Sequence, residues 1–69
     1  MVIELPVVYD EVEENTKTLF RIPDNNLVRI NENDEYPQKT NLFIGTEEFM
    51  YLIDLPYELV RELIIQSDK

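Results

Sequence analysis

The chain has 69 residues, with 15 acidic against six basic side chains and a formal net charge of −9. It contains neither Cys nor His, which excludes disulfides, thiolate chemistry and His-based triads and leaves zinc without its usual ligands. The acidity argues against nucleic acid or an anionic membrane as a direct partner, because both demand a cationic face.

Residues 2–9 (VIELPVVY) alternate, with Ile3, Leu5, Val7 and Tyr9 on one side, which predicts a strand. Pro6 has no backbone donor, so this strand is expected at a sheet edge or with a bulge. Asp10-Glu11-Val12-Glu13-Glu14-Asn15 then reads as a charged loop or strand end. A second strand is predicted over 17–22, with Thr18, Phe20 and Ile22 on one face and Lys17, Leu19 and Arg21 on the other. Pro23-Asp24-Asn25-Asn26 has turn chemistry, since Pro presets φ while Asn and Asp tolerate left-handed conformations. A short strand resumes over 27–30, with Val28 and Ile30 on one face. The two runs form either a hairpin or a corner into the next layer.

Residues 31–39 (NENDEYPQK) are polar and contain Pro37, so they read as a loop. A strand over 40–44, a turn at Gly45-Thr46-Glu47-Glu48 and a returning strand over 49–53 follow. Gly45 is the only glycine, placed where a turn needs positive φ. Asp54-Leu55-Pro56 suits a helix start, with Asp in the cap region and Pro in the first turn. Over about 57–66, Leu59, Val60, Leu63 and Ile64 form one apolar stripe opposite Glu58, Arg61 and Glu62. A Glu58–Arg61 pair at i,i+3 is expected. The expected fold is therefore α+β: a small curved antiparallel sheet of four to five strands closed by one C-terminal helix. Phe20, Ile22, Val28, Ile30, Leu42, Ile44, Tyr51 and Ile53 are the expected sheet side of its core.

Hydrophobic residues make up 43% of the chain and charged residues 30%, a globular composition. No apolar run reaches the roughly 18 residues of a membrane span. Met1-Val2-Ile3-Glu4 lacks the basic region and long apolar core of a signal peptide. One domain over 1–69 is expected, without a membrane anchor, cytoplasmic or assembled into a virion from a host cytoplasm. A chain this short buries only about 60% of its unfolded surface. Association with a protein partner or as a homo-oligomer is expected to complete its stability.

The segments FRIPDNNLVRI (20–30), TNLFI (40–44), FMYLI (49–53) and YELVRELI (57–64) follow one another in an order of strand, Asn-containing corner, strand, hairpin and short helix. Over residues 18–65 this pattern resembles the small flagellar-operon proteins of the FlbD/SwrD type. The resemblance implies the same order of elements and a small regulator. It departs at the hairpin, where Gly-Thr-Glu-Glu stands in place of an Asn-Gly-type turn, and in the acidic N-terminal strand. The composition, rich in Asn, Asp, Glu and Ile, also resembles that of bacteriophage accessory proteins.

No nucleotide-binding glycine loop is present. A carboxylate pair could support acid–base chemistry, but so short a chain leaves little room for a cleft of about 300 Å³. No catalytic residue, cofactor or metal is expected. Asn31-Glu32-Asn33-Asp34-Glu35 opens like a calcium loop, yet Tyr36 stands where glycine is required and Leu42 where the bidentate Glu belongs. Nine of the fifteen acids lie before residue 36. The candidate partner-binding residues are therefore Asp10, Glu11, Glu13 and Glu14 in DEVEE, Glu32, Asp34 and Glu35 in the loop, and Tyr36 as an exposed aromatic anchor. The bland alternative for DEVEE is a charged edge that deters strand-to-strand aggregation. The expected function is a non-enzymatic protein–protein interaction module in a larger assembly, with a partner that has a basic surface. The alternatives are an acidic nucleic-acid mimic that inhibits a basic DNA-binding protein and a small regulator related to the flagellar family.

Overall fold

The computed structural model describes residues 1–9 and 15–67. Five strands, β1 (Val2–Val8), β2 (Asn15–Arg21), β3 (Val28–Glu32), β4 (Thr40–Ile44) and β5 (Tyr51–Ile53), form one antiparallel sheet in the order β2-β1-β5-β4-β3. Helix α1 (Tyr57–Ser67) follows the last strand. The α+β architecture is the expected one, and the sheet is open.

Period-two patterning decides which face is buried. Ile3, Leu5 and Val7 are buried on β1 while Val2 and Glu4 are exposed. On the second strand Phe20 is buried, as is Ile22 just beyond it, while Lys17, Leu19 and Arg21 face solvent. These two strands pair from Val2↔Arg21 to Val8↔Asn15 without interruption. The resulting hairpin joins the meander β3-β4-β5 through the ladder pair Val7↔Ile53. Leu42, Ile53 and, from the helix, Val60 complete the buried core. Val28, Ile30, Ile44 and Tyr51 are half-buried against it, so the expected sheet side of the core is present with its strand β1 added.

Pro6 does not place its strand at an edge: β1 lies between β2 and β5, with an unbroken register. The Pro6 carbonyl accepts the Asp54 N–H at 2.8 Å. In a pleated strand a residue's N–H and C=O point the same way, so the donor missing from Pro6 falls on the β5 side. Pairing there is one rung long, and the full ladder to β2 is untouched.

The segment between β2 and β3 is a corner and not a hairpin, since these strands occupy opposite edges. Ile22 N–H donates to Met1 O, and the Met1 ammonium donates to Ile22 O, both at 2.8 Å. Asn26 N–H then closes the turn on Pro23 O at 3.0 Å. β3 begins one residue later than expected and runs on to Glu32, which shortens the following loop to 33–39. Gly45 has φ of 61° and donates to Leu27 O, which fixes the β4–β5 turn against the corner. β5 starts only at Tyr51, so Phe49 and Met50 lie outside the expected strand.

The sheet-to-helix junction is pinned from two sides. Thr40, fully buried on β4, donates its hydroxyl to Leu55 O at 2.8 Å. Asp54 receives Lys39 Nζ at 3.3 Å and stands outside the helix, whose first N–H donors, Leu59 and Val60, reach Pro56 O. Pro56 thus takes the cap position expected of Asp54. The helix turns Val60 fully inward with Leu63 and Ile64 half-buried, but Leu59 is 45% exposed. Arg61 contacts Glu62 at 3.4 Å, where Glu58 was the expected partner. No helix among the described residues is long and apolar enough to cross a membrane.

Candidate partner-binding surface

The loop 33–39 is built around one asparagine. The Asn33 side-chain oxygen accepts the backbone N–H of both Glu35 and Tyr36 at 2.9 Å. Its amide nitrogen donates to Asn41 on β4, and Asn41 in turn donates to Asn31 on β3, each at 2.8 Å. This relay ties the loop to two strands and occupies the Asn oxygens that a calcium loop would need. Lys39 N–H closes the loop on Tyr36 O at 2.9 Å. Glu32, Asp34 and Glu35 are exposed, and Tyr36 is 51% exposed with the Lys39 ammonium 5.5 Å from its ring centre. Glu32 lies on β3 and not in the loop, so the expected loop acids come from two elements. Asp10, Glu11, Glu13 and Glu14 lie outside the described residues.

A second surface was less visible in the sequence. Phe49 and Tyr51 share a face and meet edge to face, 4.8 Å between centroids at 69°. Tyr51 meets Phe20 of β2 in the same way at 5.1 Å and 84°. Thr18, two residues before Phe20 on the same face, is hydrogen-bonded through its hydroxyl to the Tyr9 hydroxyl at 3.3 Å. The ring contacts make an aromatic row from Phe20 through Tyr51 to Phe49, and the Tyr9–Thr18 hydrogen bond stands beside its β2 end. Its base is buried at Phe20, while Phe49 is 61% exposed and Tyr9 and Met50 are exposed beside it. Glu47 and Glu48, both exposed, precede Phe49 directly. The strand assignment over 49–53 concealed this, because it gave Phe49 a ladder partner. The signal available was the pair of acids running straight into an aromatic residue.

Among the described residues no group of three or more acidic, His or Cys side chains converges on a point where a metal ion could sit. A surface hollow of about 330 Å³ lies between the corner and the β4–β5 turn, lined by Asn25, Asn26, Leu27, Ile44, Gly45, Thr46 and Glu47. It is larger than the chain length suggested, but Glu47 is its one titratable side chain. The paired carboxylates of acid–base hydrolysis are absent from its lining.

Comparison with protein-family models, curated proteins and solved structures finds no match.

Proposed function

We propose that this chain is a non-enzymatic protein–protein interaction module, a regulatory or structural component of a larger assembly, and that its partner presents a basic surface around an apolar contact. The observation that carries the reading is the aromatic row. Phe49 stands largely out of the fold, backed edge to face by Tyr51 and Phe20. Rigid aromatic side chains of this kind supply contact area at low entropic cost and dominate interface energetics. The flanking Glu47 and Glu48, with the net charge of −9, favour a cationic rim on the partner. The ordered loop bearing Asp34, Glu35 and Tyr36 adds an anchor of the same chemistry.

The test is affinity purification from the native source with the wild-type chain and with Phe49→Ser combined with Met50→Ser. Both positions are exposed, so the fold is expected to survive. A stoichiometric protein should be retained by the wild type through a high-salt wash and lost from the variant. A strictly monomeric wild type without a partner, or a partner held equally by the variant, would overturn the proposal.

A further inference from the structure

Strand β2 is an edge of the sheet, and its backbone has a defined polarity. Met1 and Ile22 exchange both hydrogen bonds, so in the alternating antiparallel ladder the pairs Ile3↔Phe20, Leu5↔Thr18 and Val7↔Thr16 face each other. The N–H and C=O groups of Lys17, Leu19 and Arg21 therefore point away from β1, to the outside. No strand pairs with that side among the described residues. The helix packs on β1 and on β3, the other edge.

The side chains over this open edge are equally distinctive. Lys17, Leu19 and Arg21 share the outward face, and Leu19 is 53% exposed. Among the described residues Lys39 and Arg61 contact carboxylates, and Arg29 contacts a carbonyl and the Phe43 ring. Among the described residues Lys17 and Arg21 make no such contact. Two cations that pair with no described carboxylate thus flank an apolar side chain along this edge, with Glu4 of β1 across from Leu19 on the same face.

We propose that the β2 edge is a second binding site, which takes an extended segment of another protein by strand addition. The segment carries acidic residues opposite Lys17 and Arg21 and an apolar residue opposite Leu19. Strand addition gains its affinity from the main-chain ladder and its specificity from alternate side chains. Opposite charges directly across antiparallel strands attract, and like charges there repel. This separates an acidic segment from a second copy of the chain. Antiparallel self-pairing centred on Leu19 sets Lys17 against Arg21 twice, and the register shifted to centre on Thr18 brings the two copies of Lys17 together diagonally. The chain's overall negative charge does not cancel the local attraction, because exposed charges beyond about 8 Å are screened at physiological salt. The surface is distinct from the aromatic row, so this site and the function proposed above stand or fall separately.

The experiment is an NMR titration of the full chain with a capped synthetic peptide of glutamate, threonine, valine, threonine and glutamate. A peptide with lysine in place of both glutamates is the control. The glutamate peptide should shift the amide resonances of Lys17, Leu19 and Arg21 and slow their hydrogen exchange by about tenfold or more. The lysine peptide should do neither. Leu19→Pro removes an outward donor without touching the ladder to β1 and should weaken binding by about tenfold. Should that variant misfold, methylation of the peptide's valine nitrogen removes the reciprocal donor and should weaken binding likewise. Lys17→Glu combined with Arg21→Glu should reverse the choice of peptide. Shifts confined to other residues, equal binding of the two peptides, or no shift with either would overturn the proposal. Protection of these three amides that rises with protein concentration alone would also overturn it, in favour of a second copy as occupant.

Discussion

Thr40 shows how much one atom can matter in so small a core. Its side chain is fully buried, and its hydroxyl is the donor that satisfies Leu55 O at the bend into the helix. Replacing the hydroxyl by a methyl in Thr40→Val preserves the volume but leaves a partly buried carbonyl without this donor, at a cost of at most about 1–3 kcal/mol. Thr40→Ser keeps the donor and loses one methyl, which costs about 0.8 kcal/mol plus any cavity. Urea denaturation should therefore place Thr40→Val below Thr40→Ser in midpoint at similar slope. The opposite order would mean that the methyl contact, and not the hydrogen bond, holds this junction. Nothing in the sequence marks Thr40 as special, since a strand-leading Thr is ordinarily exposed. Gly45 is the contrary case. A single glycine after a strand was legible as a positive-φ turn, and it has φ of 61°.

At the scale of elements, periodicity was informative about faces and silent about partners. The alternation of Phe20 and Ile22 identified the buried side of its strand, because burial of one sheet face is a local property of a strand. Ile3, Leu5 and Val7 were legible as a strand but absent from the expected core, which they complete. The β1–β5 pairing is long-range, and no local pattern encodes it, so Pro6 was read as marking an edge or a bulge, and its strand has neither. The exposed aromatic residues divide for the same reason. Loop chemistry marked Tyr36 as exposed, and it is 51% exposed, whereas the exposure of Phe49 was hidden because its phase fitted a strand that begins only at Tyr51. The helix stripe was read one residue too wide. Val60 is fully buried and Leu59 is not, although both belong to the same apolar arc. Val60→Ala should destabilise by about 1–3 kcal/mol, and Leu59→Ala should stay within about 0.5 kcal/mol of wild type. Equilibrium unfolding of the two variants checks this. A large loss at Leu59 would mean that this side chain is covered in solution, for example by a partner copy.

The molecule as a whole must hold a net charge of −9 on 69 residues, and its own ion pairs do little to offset this. Three contacts are present among the described residues: the Met1 ammonium with a fully exposed Asp24, Lys39 with Asp54, and Arg61 with Glu62. Arg61–Glu62 is exposed on both sides and Asp24 is fully exposed, and pairs so open to water are worth about 0–1 kcal/mol each. Lys39–Asp54 is half-buried and less screened. Repulsion among the remaining acids acts over longer distances and is screened as salt reduces the Debye length from about 30 Å at 0.01 M to about 3 Å at 1 M. Folding brings these charges closer together, so screening should favour the folded state. The midpoint of thermal unfolding should rise when sodium chloride is raised from about 0.01 M to about 0.5 M, by several degrees if the relief is on the order of 1 kcal/mol. A fall would show that attractive pairs dominate, the half-buried Lys39–Asp54 pair foremost. Binding of a basic partner should respond with the opposite sign, because the same screening slows its steered association. Contacts at Phe49 and Tyr51 should meanwhile keep the complex intact, because apolar burial does not depend on the Debye length. A salt series that raises the unfolding midpoint and lowers the association rate, with little change in dissociation, would assign the acids to steering and the aromatic row to retention.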